Sequence, residues 1–145
     1  MYKRQIPRFW TRLALGYPAL VSLEIGAWAL LAPRSFYDGF PGMGRAWVAV
    51  DGPYNEHLVR DVGALNLALA IVLVWAAIDH GLVLLRVAAV AALMWGLPHF
   101  VYHAANTDQL STADVVLNLI GLGLFVAAPL AVLIASTAGT REMVR

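Results

Sequence analysis

Four long apolar runs constrain this chain more than any other feature. A helix rises about 1.5 Å per residue, so crossing ~30 Å of hydrocarbon takes about 20 mainly apolar residues. Segments of that kind run from about Leu13 to Ala32, Glu56 to Ile78, Leu82 to Ala105 and Thr112 to Ser136. They are too long and too continuous to be core helices of a 145-residue soluble domain. Composition agrees: 61% of residues are hydrophobic and 13% charged, against roughly half and roughly a quarter in an average soluble domain. The sequence therefore predicts an all-α integral membrane protein, an antiparallel bundle of four transmembrane helices forming one membrane domain over 1–145. The lipid bilayer is its first partner.

The connections fit that reading. Asp79-His80-Gly81 is a tight turn, and Asn106 to Ser111 joins the last two spans. Ser111-Thr112-Ala113-Asp114 reads as a capping box opening the fourth. The long connection, 33–55, is broken by Gly39, Pro41, Gly42, Gly44, Gly52 and Pro53. Its Phe36, Tyr37, Phe40, Trp47 and Tyr54 suit the interfacial zone, where amphipathic rings settle. Trp47-Val48-Ala49-Val50 reads as a short interfacial strand or a helical turn. The opening Met1-Tyr2-Lys3-Arg4-Gln5 resembles translated adapter sequence ahead of a natural start, and the first apolar run is too long for a signal peptide.

An even number of spans puts both termini on one side of the bilayer. That side carries Lys3, Arg4, Arg8, Arg12, Arg86, Arg141 and Arg145, seven of the ten Lys and Arg; the other carries Arg34, Arg45 and Arg60. The bias predicts a multi-pass protein of the cell membrane with cytoplasmic N- and C-termini and an extracytoplasmic 33–55 loop.

Composition also excludes. With no cysteine, disulfide exchange, zinc–thiolate sites, iron–sulfur clusters and covalent haem attachment all fall away. A net charge of +1 offers no basic surface for nucleic acid. Ser22, Ser35, Ser111 and Ser136 sit in no nucleophile elbow, and there is no Gly-rich phosphate loop.

What remains is a set of polar residues at a common depth. A charge within a span costs on the order of 3 kcal/mol on insertion scales, so such groups tend to face the bundle interior and meet partners. Counting from the outer ends, Glu24 lies ~12 Å deep in the first span, and Asp61, His99 and Asn118 lie ~9 Å deep in the others. Four-residue spacing adds pairs: Glu56 with Arg60, His57 with Asp61, and His99 with His103, with Trp95 one turn deeper. Pro98 withholds a bond from Met94, favouring burial of the freed carbonyl beside His99. These residues predict an outward-opening polar site of Glu24, Glu56, His57, Arg60, Asp61, His99, His103 and Asn118. His57, Asp61, His99 and His103 are candidate ligands for a divalent metal ion. The plainer alternatives are a Glu24–Arg60 structural pair, surface pairs at headgroup level, and an Asn118 that hydrogen-bonds across helices.

Ala32-Pro33-Arg34-Ser35-Phe36-Tyr37-Asp38-Gly39-Phe40-Pro41-Gly42, Asn55-Glu56-His57-Leu58-Val59-Arg60-Asp61-Val62-Gly63 and Leu97-Pro98-His99-Phe100-Val101-Tyr102-His103 carry a likeness. The chain resembles a group of actinobacterial four-helix small membrane proteins, DoxX-like in layout. The resemblance implies a four-helix membrane fold and a link with quinone-coupled redox systems, without a catalytic motif that maps onto these residues. The chain is also similar to small multidrug resistance transporters in its four spans and the first-span carboxylate Glu24, but departs in its long first connection and its histidine pair. The expectation is a binding or accessory component of a membrane system, working with a membrane partner or as a homo-oligomer. The alternatives are a redox or hydrolytic metal enzyme built on the His/carboxylate site and a proton-coupled transporter using Glu24.

Overall fold

The computed structural model describes residues 7–141, with side chains as far as 136. The adapter-like residues 1–5 lie outside the described residues, as do Arg145 and the side chain of Arg141. The order of elements is α1 (Arg8–Leu31), α2 (Pro33–Gly39), α3 (Glu56–Asp79), α4 (Leu82–Ala105) and α5 (Thr112–Arg141). There is no strand among the described residues, and Trp47 to Val50 forms turns. Arg8–Leu31, Glu56–Asp79, Leu82–Ala105 and Thr112–Ser136 are long and apolar enough to cross a membrane.

Two differences from the sequence expectation have local causes. α1 begins a turn earlier than Leu13, because Thr11 N donates to Pro7 O at 3.2 Å and the Thr11 side chain is buried at 1% exposure. The short α2 is the other. Pro33 occupies its first position, where the fixed φ and missing N–H of proline cost nothing. The Arg34–Asp38 pair, 2.7 Å apart, spans one turn of it.

Packing follows small residues. α1 lies most extensively on α3, α4 lies on α5, and the α1–α5 and α3–α4 seams are looser. α1 buries Thr11, Leu15, Pro18, Ala19, Ser22, Gly26 and Ala29, a stripe at three- and four-residue spacing. α3 answers with Val59, Gly63, Asn66, Ala70, Leu73 and Ala76. Gly26 and Gly63 let the two backbones touch: a β-carbon at Gly26 would stand 2.8 Å from Leu67 N, and one at Gly63 3.0 Å from Gly26 O. This is how membrane helices associate, since apolar area alone gives no advantage over lipid. On the other pair the Phe125 ring lies over Gly96, at 2.7 Å from where a β-carbon would be. Leu15, Leu73, Leu85, Phe125 and Val132 fill the centre.

Side chains tie the helices together at their ends. Arg60 donates to Leu30 O at 2.5 Å, Arg12 to Ala77 O at 3.4 Å and Arg86 to Ser136 O at 2.6 Å. Arg60 and Arg12 thus reach a carbonyl in the last turn of a neighbouring helix, where cations are favoured. Tyr17 OH donates to Gly121 O at 3.0 Å, pinning α1 to α5.

Candidate functional site

Glu56, His57, Arg60 and Asp61 open α3. Asn55 caps the helix by accepting from Leu58 N at 3.1 Å. Arg60 pairs with Glu56 at 2.9 Å, and His57 Nε2 stands 3.1 Å from Asp61 Oδ2. Both expected i, i+4 pairs are therefore formed. The His57–Asp61 pair points away from the bundle, with side chains 87% and 59% exposed, whereas Arg60 also reaches back to Leu30 O of α1. The reason is Gly63, which together with Val59 and Asn66 fixes the inward face of α3 against α1.

Glu24 lies on the opposite side of α1 from its packing stripe. Its neighbours on that side are Leu20, 65% exposed, Leu23, 51%, and Leu31, 78%. Arg60 does not reach it, being held by Glu56 and Leu30 O. Glu24 is itself exposed and has no hydrogen bond or ion pair among the described residues.

On α4 the expected column of rings is present. His99 stacks on Trp95 with centroids 5.2 Å apart, and the His103 ring meets His99 edge-on at 4.7 Å. Pro98 and Met94 are themselves exposed residues of this helix. Asn118 is buried on α5, but its Oδ1 has no hydrogen-bond partner among the described residues; the same holds for Ser22 Oγ and Asn66 Oδ1.

The predicted polar layer thus divides into separate parts. Glu24 faces out from α1, His57–Asp61 out from α3, and His99–His103 lie along α4. Among the described residues, no three His, Cys, Asp or Glu side chains gather into a group that could hold a metal ion.

A different polar site forms where the 33–55 connection meets the end of α4 and the start of α5. Asp114 is its anchor. Its Oδ1 accepts from Arg45 Nε at 2.6 Å and Trp47 Nε1 at 3.0 Å, while its Oδ2 accepts from Ser111 Oγ at 2.6 Å. Ser111 Oγ in turn accepts from Asp114 N at 3.2 Å, which is the expected N-cap of α5. Tyr37 OH holds the far side of the loop by donating to Gly52 O. Between loop and helix lies a cleft of about 90 Å³, lined by Trp47, Asp51, Tyr102, His103, Asp108 and Gln109 among others.

Of these, only His103 is among the site residues the sequence predicts. Asp51 and Asp108 sit in loops without a spacing signal. Arg45 and Asp114 are 69 residues apart, so nothing local joined them. The outward placement of Glu24 did have a signal: Ala19, Ser22, Gly26 and Ala29 mark the packing face of α1, and Glu24 lies off it. Comparison with known protein families, with curated proteins and with solved structures found no match to this chain.

Proposed function

We propose that this chain is an integral membrane protein of binding or accessory type, an antiparallel four-helix bundle crossing the cell membrane with cytoplasmic termini. The excess of Lys and Arg beside the termini supports that orientation. One observation carries the accessory role: Glu24, a carboxyl with no ion pair among the described residues, in the middle of an exposed apolar stripe of a spanning helix. At that depth an ionisable group normally meets a partner. The occupant that fits is a membrane-spanning helix of another protein carrying a Lys or Arg at the matching level. Charge complementarity favours this over a second copy, because Arg60, the nearest candidate cation on this chain's outer half, is engaged with Glu56 and Leu30 O about six residues closer to the surface.

The test uses a defined probe. A fluorescent polyleucine transmembrane peptide with one central Lys is compared with its all-Leu counterpart for energy transfer to the full chain in bilayers. The Lys peptide should associate several-fold more tightly, and Glu24→Leu should erase the difference. Equal association of both peptides with the unaltered chain would overturn the reading, and self-association through the same face would point to a homo-oligomer instead.

A second reading rests on the cleft of Trp47, Asp51 and His103. It has the size and polar lining for a small polar ligand, with Trp47 fluorescence as the natural reporter.

A further inference from the structure

At the end of the molecule that holds the long connection, every arginine is matched to a carboxylate. Arg34 pairs with Asp38 at 2.7 Å, Arg45 with Asp114 at 2.6 Å and Arg60 with Glu56 at 2.9 Å. His57 takes Asp61. Two carboxylates at this end are left over. Asp51, late in the long connection, and Asp108, in the turn between α4 and α5, make no hydrogen bond or ion pair among the described residues. Both line the same cleft. The unmatched negative charge of this end therefore falls in one concave place.

Much of the remaining wall is aromatic. Trp47, Tyr102 and His103 line the cleft together with the two carboxylates. The rings are held in place by the fold itself. Trp47 Nε1 donates to Asp114 Oδ1 at 3.0 Å, and His103 lies edge-on to both His99, at 4.7 Å, and Tyr102, at 5.4 Å. Aromatic faces carry negative potential and attract cations. A further oxygen lies deeper. Asn118 stands one turn along α5 from the Asp114 that holds Trp47, and it is 7% exposed with no hydrogen-bond partner for Oδ1 among the described residues. Phe125 over Gly96 and Phe100 beside Gly123 set α4 against α5, so that Asn118 falls at the level of the turn from His99 to His103.

We infer that this cleft binds a quaternary ammonium group, with Asp51 and Asp108 balancing its charge and Trp47, Tyr102 and His103 walling it. The inference rests on the second reading above, that the cleft takes a small polar ligand, and adds the charge and class of that ligand. An anion would meet two unmatched carboxylates. A bare metal ion would lack a ligand set, since no three His, Cys, Asp or Glu among the described residues gather into one. A quaternary ammonium group needs no acceptors at fixed angles; ring faces and nearby negative charge suffice. Free choline and the headgroup of a choline lipid offer the same chemistry. On the transmembrane reading, the cleft stands where two spans meet the headgroup zone, within reach of either.

The Trp47 indole N–H is the reporter, followed by NMR in the full chain. The chain is placed in nanodiscs of phosphatidylglycerol, which carry no choline, and Trp47→Phe identifies the signal. Choline should shift that signal saturably, and dimethylbutanol, its uncharged carbon isostere, should not. Asp51 and Asp108 are exposed, so Asp51→Asn with Asp108→Asn should keep the fold while weakening choline binding by roughly tenfold. Asp38→Asn, which removes a carboxylate outside the cleft, should leave binding nearly unchanged. Phosphatidylcholine nanodiscs separate the two sources. A signal already shifted there, and restored by the double variant, assigns the site to a lipid headgroup; a signal that moves only on adding choline assigns it to the free ion. An equal response to dimethylbutanol or acetate, or a choline response that survives the double variant, would overturn the cation and leave a ligand cleft standing. No response to choline, dimethylbutanol or acetate would overturn the cleft reading together with the cation.

Discussion

Gly63 of α3 lies so close to α1 that a β-carbon there would stand 2.5 Å from the amide nitrogen of Leu30. The obstructing atoms are backbone, the Ala29 carbonyl carbon and Gly26 O each lying 3.0 Å away, so no side chain can swing aside. Gly63→Ala should push the helices apart and destabilise the fold by about 1–3 kcal/mol, the usual cost of overpacking. Gly16→Ala is the control. A β-carbon at Gly16 meets nothing within 4 Å, so relief of glycine's entropic cost should raise stability by about 0.5–1 kcal/mol. Unfolding of both variants in the same detergent, followed by circular dichroism, checks the opposite signs.

The cleft depends on Asp114 in a comparable way. Its carboxylate accepts three hydrogen bonds, two of them from Arg45 and Trp47 of the long connection. Asp114→Ala should release that connection while leaving the helices in place. Limited proteolysis should then cut within 40–53 several-fold faster, and Trp47 emission should shift to longer wavelength. The helical circular dichroism signal should not change. An unaltered cleavage rate would mean that Tyr37 and the aromatic contacts around Phe40 hold the loop without Asp114.

His80 gives the fold a pH dependence whose sign is set by its lowered pKa, due first to burial and then to Arg12 and Arg8. Above the ordinary histidine pKa, about 6.5, the ring is neutral in both folded and unfolded chains and contributes no pH dependence. As pH falls below that value the unfolded chain takes up a proton that the folded chain resists, so stability declines until the folded pKa is passed. His80→Asn, which tolerates the left-handed backbone, should flatten this decline in zwitterionic detergent. Denaturant titrations at several pH values between about 4 and 8 would measure the difference in slope.

Element boundaries were legible because hydrophobic length is a one-dimensional property: the third span, Leu82 to Ala105, agrees at both ends with α4. Position along each helix was legible for the same reason, through rise per residue. Azimuth was not. Whether Asp61 and Glu24 face one another depends on which stripe of each helix is packed, and that is decided by Gly26 and Gly63 meeting across the α1–α3 interface. A rule that buried charge is costly predicts a need for partners, but it does not say that the partner lies in the same chain. The cleft was illegible for a different reason: a loop held by Arg45 and Trp47 to a carboxylate on α5 leaves no period in the sequence. The His57–Asp61 and Glu56–Arg60 pairs were legible because helix spacing alone brings them together.

Glu24 provides a test of this distinction that needs no partner. If its exposed position on α1 faces acyl chains, its cost should appear when the first span enters a bilayer alone. Insertion scales put a central carboxylate at on the order of 3 kcal/mol unfavourable and a leucine at roughly 0.5 kcal/mol favourable. Glu24→Leu should therefore raise insertion of the α1 segment in a translocon assay, by an apparent free energy of about 3.5 kcal/mol. Glu24→Leu in the full chain should leave thermal stability in detergent nearly unchanged, because Glu24 makes no hydrogen bond or ion pair among the described residues. Substituting Ser22, buried at 0% exposure on the packed face, with Leu should do the reverse: little effect on insertion and a marked loss of stability. If Glu24→Leu instead unfolded the isolated protein, α1 would have to be rotated from the orientation that Gly26 and Gly63 define.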